Sequence, residues 1–380
     1  MSSKVSIILV WFSVIVLLVV GLVMVASTGV WVEPEDDQYG MLYKQMLFSG
    51  FGLIGALLLA RMNYEFFRKY IWLIIGFACL LLALCYVPGI GREINGERRW
   101  INLGIQFQPS ECAKICTMML LAHWYALHRD VASKFIGGFI KPGILFGIPL
   151  LLIFFEKDMG TASALGVAGL CVMFAAGANV WYLLGTIVVG FGGLYYMVQT
   201  NANRLERIRA WTDLAAYSDG AGLQQFRAML GMQRGGIEGI GLGNSVEKHG
   251  TLPFAHTDFI FAPLGEEFGL IGTMTVLLCF SLFAFAGMSV AMQTNDRYGR
   301  LLAVGIVALV FCPAMLNIAV VTAALPNSGL PLPFISFGGA HLIFTLGAIG
   351  MLTSIQRHSY TPPPAYEFSR RDDRSVDLRL

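Results

Sequence analysis

VSIILVWFSVIVLLVVGLVMVA, Val5 to Ala26, is an unbroken run without a single charged side chain. A bilayer core about 30 Å thick needs about 20 mostly apolar residues per helical crossing, and this run supplies them. Stretches of the same kind recur at Tyr43–Ala60, Tyr70–Val87, Cys112–Leu127, Gly143–Phe155, Thr161–Gly177, Trp181–Val198, Phe268–Met292, Leu301–Leu325 and Ala340–Ile355. The chain is 56% hydrophobic and only 13% charged, too apolar a balance for a soluble domain that must cover itself with polar side chains. The sequence therefore predicts an all-α, polytopic transmembrane helix bundle of about ten spans. Gly143–Phe155 and Cys112–Leu127 are short, which leaves nine or eleven crossings open.

One lysine, Lys4, precedes the first run, which is longer than a signal-peptide core and has no good small-x-small cleavage site, so it reads as a retained anchor. Ten crossings place both termini on one side. Arg61, Arg68, Lys69, Arg129, Lys134, Lys141, Arg297 and Arg300 fall on that same side, which is then cytoplasmic. The first opposite loop carries Glu33, Glu35, Asp36 and Asp37. Cys79, Cys85, Cys116, Cys171, Cys279 and Cys312 lie within spans and Cys112 opens one, with no CxxC spacing, so the cysteines read as packing residues. The net charge of +2 says nothing about nucleic acid, and no nucleic-acid partner is expected. Residues 1–360 form the membrane domain; residues 361–380, with Pro362-Pro363-Pro364 and alternating Arg and Asp, read as a disordered cytoplasmic tail.

The polar residues gather on the other side. The loops there run over Val30–Leu42, Pro88–Glu111, Glu156–Gly160, Gln199–Glu267 and Pro326–Gly339. The fourth, the long outer loop between spans seven and eight (199–267), exceeds the length of a simple connection and is expected to fold on its own account. Leu205, Ile208 and Trp211 in it predict a short amphipathic helix, lying in the membrane interface or packed on other loops. A glycine-rich stretch follows, Gly235-Gly236, Gly239, Gly241 and Gly243, which has the backbone freedom of a phosphate cradle but no Lys-Ser/Thr ending.

Next comes His256-Thr257-Asp258-Phe259-Ile260-Phe261, then Gly265-Glu266-Glu267-Phe268-Gly269. Asp258 sits in an aromatic setting at the mouth of a span, where burying a charge costs about 2.5–3.5 kcal/mol and so marks function. The plainer reading makes Asp258 or Glu266 an N-terminal cap. Arg98-Arg99-Trp100 lies in the second outer loop. Glu111 and Lys114, three apart, share a helix face, and Glu156, Lys157 and Asp158 form the third loop. Together Arg98, Arg99, Lys114, Lys157 and Arg227 would face Glu111, Asp158, Asp258, Glu266 and Glu267 across a cavity suited to a phosphorylated amphiphile. Each pair taken alone also fits a plain ion pair. Pro326-Asn327-Ser328-Gly329-Leu330-Pro331-Leu332-Pro333-Phe334 cannot continue a helix, and broken backbone at membrane depth is tolerated only against protein or a wet cavity.

Five ordered motifs, NGERRWINLG (Asn95–Gly104), QPSECAK (Gln108–Lys114), KDMGT (Lys157–Thr161), LPFAHTDFIFAPLGEEFG (Leu252–Gly269) and PNSGLPLPFISFGG (Pro326–Gly339), give the chain a resemblance. From first span to last it resembles the SEDS family of bacterial peptidoglycan polymerases. The resemblance implies a ten-helix glycosyltransferase of the bacterial cytoplasmic membrane. It would polymerise lipid II into β-1,4-linked strands at the outer face, by inverting transfer with Asp258 as general base. It implies Arg98, Arg99, Glu111, Lys114 and Asp158 as substrate-binding positions, and His256, Glu266 and Glu267, in the run around Asp258, are read as further substrate-binding candidates. It further implies a class B penicillin-binding transpeptidase and other divisome proteins as partners, beside membrane lipid. A divalent cation, Mg²⁺ or Mn²⁺, would suit Asp258 and Glu266; no organic cofactor is expected.

Gly241-Leu242-Gly243-Asn244-Ser245 resembles the division and sporulation branch, FtsW-like, more than the elongation branch, RodA-like. The chain departs from the family pattern at Arg227-Ala228, Gln233-Arg234, Phe337 and Ala340-His341, the last replacing two small hydroxyl residues. A lipid II flippase, a RodA-like polymerase and a recruiting scaffold are the alternatives. A flippase would spread charge through both halves of the membrane, and a scaffold would tolerate substitution of Asp258.

Overall fold

The computed structural model describes residues 3–31, 39–94, 97–102, 106–156, 158–249 and 252–359. The acidic residues of the first loop, Lys157 and the 361–380 tail lie outside them. Ten apolar helices occupy the ten expected segments: α1 (Ser3–Gly29), α2 (Gly40–Arg61), α4 (Ile71–Leu84), α5 (Pro109–Leu127), α6 (Lys141–Phe155), α7 (Met159–Ala175), α8 (Val180–Gln199), α11 (Phe261–Gln293), α12 (Arg297–Val321) and α13 (Gly339–Ser359). Between them lie the short α3 (Glu65–Lys69) and, in the long loop, α9 (Ala202–Thr212) and α10 (Leu223–Gly235). Six of the described helices are long and apolar enough to cross a membrane, and Ile71–Leu84, Met159–Ala175 and Val180–Tyr196 are shorter apolar helices. The tenth, α5, carries Glu111 and Lys114 in its first turns.

Ile8, Phe12, Ile15 and Val19 of α1 and Leu73, Phe77 and Leu80 of α4 are exposed, so the outer rim of the bundle is hydrocarbon. In water that would be an aggregation surface, whereas lipid makes it the solvated face. The chain is a multi-pass membrane protein. Its centre is α12, which packs on α5, α7 and α11 and buries most of its length. Elsewhere helices approach through small residues. A Cβ on Gly350 of α13 would come 2.2 Å from the Ala56 carbonyl oxygen of α2, so only glycine lets these two helices close.

Two expected spans change their limits. The short fifth segment gains a π-helical lead over Phe135–Ile140, and Phe135–Phe155 together are long enough to cross. The eighth starts at Phe261 rather than Phe268 and breaks at Gly269 (φ 64°, ψ −158°). The all-α expectation also omits a small antiparallel sheet, β1 (Gly91–Ile94), β2 (Glu97–Asn102) and β3 (Gln106–Phe107), paired through Gly91 with Ile101 and Ile101 with Phe107. Trp100 and Ile101 favour extended backbone, and Ile101 is buried under the strands. The helix expected from Leu205, Ile208 and Trp211 is α9, and Trp211 Nε1 donates to the Ala323 carbonyl at 2.8 Å, docking it on the end of α12.

Candidate functional site

Asp258 stands on a shelf built by two distant pieces of chain. Asn317 Nδ2, from α12, donates to the Asp258 carbonyl at 2.6 Å and to the Leu330 carbonyl at 2.5 Å. Ser336 Oγ donates to the Thr257 carbonyl at 2.6 Å, and the Phe337 amide donates to the His256 carbonyl at 3.0 Å. Three successive carbonyls, His256 to Asp258, are thus clamped from outside their own segment. The Ser336 hydroxyl also accepts from the Leu332 amide at 2.8 Å. Gln45 of α2, buried in an otherwise apolar span, secures the same segment by donating to the Ser336 carbonyl and accepting from the Gly338 amide. Phe254 and Phe334, one in each piece, have positive φ values of 59° and 66°, a conformation that side chains avoid unless the surroundings impose it. Gly329 has φ 66°, and a Cβ there would lie 3.5 Å from Asp258 Oδ2, so the loop passes directly beside the half-buried carboxylate.

A second cluster adjoins the first. Asp158 caps α7: its carboxylate accepts from the Thr161 amide at 2.9 Å and the Thr161 hydroxyl at 2.8 Å. It also accepts from Gln108 Nε2 at 3.2 Å and Arg99 Nη1 at 3.4 Å, joining α7 to β2 and to the start of α5. One residue inside α7, a Cβ on Gly160 would press the Ser328 carbonyl oxygen at 2.8 Å. The loop residues Ser328 and Gly329 therefore sit between the Asp158 cap and Asp258. On α5 the buried Glu111 lies between Lys114 Nζ, 3.0 Å away, and His341 Nδ1 of α13, also 3.0 Å away. Facing a carboxylate, His341 carries its proton on Nδ1; its buried Nε2 has no hydrogen-bond partner. Glu156, at the end of α6, is buried with neither carboxylate oxygen hydrogen-bonded. Burial, and then the charge of Asp158, push its carboxyl up to about 8, against the opposite pull of the neighbouring Cys85 thiol and Arg99.

Three residues expected at the cavity lie elsewhere. Adjacent residues of a strand face opposite ways, so Arg99 turns to Asp158 while Arg98 turns outward, its Nε 2.9 Å from Glu93. Glu266 and Glu267 are fully buried in a polar knot beneath the glycine-rich loop. Glu266 accepts from the Ser245 hydroxyl at 2.5 Å, the Val246 amide at 3.2 Å and the Glu247 amide at 3.3 Å. Glu267 Oε1 accepts from Lys248 Nζ at 2.8 Å, Ser27 Oγ at 2.7 Å and the Ser245 amide at 3.4 Å.

The break at Gly269 explains the glycines. It strips helical partners from the Glu266 and Glu267 carbonyls and the Leu270 and Ile271 amides, and Ile240, Gly241, Gly236 and Ile237 pair with all four. A Cβ on Gly239 would lie 2.2 Å from the Glu267 carbonyl oxygen. These glycines permit backbone to meet backbone and build no phosphate cradle. A divalent ion shared by Asp258 and Glu266 does not fit either, since Glu266 is committed to its own loop. Among the described residues no group of three or more His, Cys, Asp or Glu side chains is gathered to hold a metal.

Compared with known proteins, residues 7–361 match the model of the cell cycle proteins FtsW, RodA and SpoVE. The chain belongs to that family. It is 37% identical over 345 residues to a probable peptidoglycan glycosyltransferase FtsW of Geobacter sp. (strain M18), spanning 90% of this chain and 94% of the relative. It is 34% identical over 349 residues to stage V sporulation protein E of Bacillus subtilis (strain 168), spanning 91% and 95%. Among solved structures it superposes on a chain from a study of how a peptidoglycan synthase complex coordinates polymerization and crosslinking, with TM-score 0.77, 27% identity and coverage of 93% and 98%. It also superposes on the rod shape determining protein RodA of Thermus thermophilus, with TM-score 0.70, 26% identity and coverage of 93% and 97%.

Within this FtsW/RodA/SpoVE member, sequence reasoning missed Gln45 and Asn317, which hold the shelf, and named Glu156 only as part of the third outer loop. A lone amide inside an apolar span was the available signal for the first two. His341 was visible only as a departure from the family pattern, and its pairing with Glu111 required the fold.

Proposed function

We infer that this protein is a peptidoglycan glycosyltransferase that polymerises lipid II, with Asp258 as the general base. The observation that carries the assignment is the clamping of His256, Thr257 and Asp258 by Asn317, Ser336 and Phe337, next to the Asp158–Arg99 cluster. A base must be held in place to be useful, and a positioned one contributes about 10²–10⁴-fold. The acceptor 4-hydroxyl gives its proton to Asp258 as its oxygen bonds to the anomeric carbon from the side opposite the pyrophosphate. The C1–O bond to the pyrophosphate breaks, and the configuration inverts in one displacement. Arg99 and Lys114 are the cations placed to stabilise charge on the leaving group.

The names of the relatives support the enzyme, and FtsW and sporulation relatives at 34–37% identity support the division and sporulation side over elongation. The resemblance to a chain of a peptidoglycan synthase complex supports a class B penicillin-binding transpeptidase as partner. The end of the bundle opposite the site carries Arg61, Arg68, Lys69, Arg129, Lys134, Arg297 and Arg300, which supports a cytoplasmic assignment for that end and an outward-facing site.

The test is polymerisation of labelled lipid II by the purified protein with its transpeptidase partner, comparing wild type with Asp258→Asn. Chains from wild type and none from a variant with unchanged melting temperature are expected. Normal polymerisation by Asp258→Asn removes the base assignment; binding of lipid II without chains from either protein moves the reading to a flippase.

A further inference from the structure

The opposite end of the bundle holds a concavity of about 460 Å³ that the chemistry above does not use. It is lined by Glu65, Arg68 and Lys69 of α3, Ile71 and Trp72 of α4, and His123 and Leu127 of α5. What marks it is the state of its cations. Two arginines at this end are already engaged: Arg297 Nη2 donates to the Ala176 carbonyl at 2.7 Å, and Arg300 donates to the Thr294 carbonyl at 3.0 and 3.3 Å, each closing a helix C-terminus. Arg68 and Lys69 make no salt bridge among the described residues, although Glu65 lies one turn before them.

Arg68 is held in place from below, its guanidinium 5.3 Å from the ring centre of the buried Tyr298. His123 adds a buried Nδ1 with no hydrogen-bond partner, and its ring stands edge-on to Trp72 with centroids 6.3 Å apart. The rest of the wall is apolar and faces outward. Trp72 is 55% exposed and Leu127 57%, and below them Leu73 and Phe77 continue the exposed hydrocarbon rim of α4. Cations above, an indole at the rim and hydrocarbon beneath repeat the profile of one leaflet, where tryptophan settles at head-group depth.

We propose that this concavity holds the head group of an anionic phospholipid, with the phosphate on Arg68 and Lys69 and an acyl chain along Trp72, Leu73 and Phe77. The proposal does not depend on the transferase reading. It separates a lipid from free phosphate because the apolar wall contributes only to the former.

The full-length protein, stripped of lipid in detergent, would be titrated with phosphatidylglycerol, with phosphatidylcholine and with inorganic phosphate, and retention read by native mass spectrometry. Phosphatidylglycerol should be retained at least about tenfold more tightly than phosphatidylcholine, and equimolar inorganic phosphate should not displace it. Arg68→Gln with Lys69→Gln should weaken phosphatidylglycerol retention about 25-fold, and Lys69→Gln alone, at an exposed position, about fivefold. The single variant decides the matter if the pair lowers the melting temperature. Equal retention of the two lipids, displacement by phosphate, or variants that retain phosphatidylglycerol as wild type does would each overturn the proposal.

Discussion

Two groups of acidic residues at the same end of this molecule are treated in opposite ways. Glu266 and Glu267, eight and nine residues beyond Asp258 and fully buried, accept from two serine hydroxyls, three amides and a lysine. Asp258 is half-buried, and its neighbours grip its backbone carbonyl. Where donors converge on the carboxylate, the charge serves the fold. Where they converge on the peptide, the structure positions a side chain for something else. Burial alone would have ranked these residues in the wrong order, because a buried carboxylate met by a cation and hydrogen-bond donors is what a structural ion pair needs.

That contrast can be broken by mutation. The largest effect belongs to Asp258→Asn, which should cost about 10²–10⁴-fold in polymerisation with no change in thermal stability. Lys248→Met should do the reverse: it leaves Glu267 charged and buried, at a cost of about 3–5 kcal/mol seen as a lowered melting temperature. The double variant Lys248→Met, Glu267→Met should recover much of that loss, because removing both charges removes the desolvation penalty. Asn317→Ala should land between the two classes. It frees the Asp258 and Leu330 carbonyls, costs about 1–3 kcal/mol, and should slow polymerisation while the Glu266–Glu267 knot stays intact. Unchanged kinetics for Asn317→Ala would show that the shelf does not position the base.

The smallest effect is a pH dependence at Glu156. Its carboxyl ionises near 4.5 in the unfolded chain and near about 8 in the folded protein. Between those values the folded state holds more protons, so this group's contribution to stability is fully present below 4.5, declines as pH rises and levels off above about 8. Glu156→Gln should remove the decline, on the order of 1–3 kcal/mol, and flatten the melting temperature from pH 5 to 8. The same slope in both proteins would mean that Glu156 is solvated.

Much of the bundle was legible in the chain because a bilayer imposes a length and a composition on each crossing. The ten segments became α1, α2, α4 to α8 and α11 to α13. The misjudged limits have physical causes. Phe135-Ile136-Gly137-Gly138 reads as a loop until a π-helical turn lengthens α6, and Phe261–Glu267 reads as loop because two acidic residues hide a helix that stays buried. The β2 strand was masked by its own charges. In the site, Asp258, Glu111, Lys114 and Asp158 stand out as ionisable groups beside spans. Arg98 does not join them, since neighbours in a strand diverge.

The sequence by itself determined that this chain lives in a membrane as a bundle of about ten apolar segments, and that its motif charges gather in the loops of one side, because those follow from hydrophobicity read along a line. Only the tertiary structure decided which charges are consumed by the fold, that Gln45 and Asn317 hold the shelf, and that His341 meets Glu111 from 230 residues away. Hydrogen-bond satisfaction is a property of partners brought together across the chain, and no local pattern encodes it.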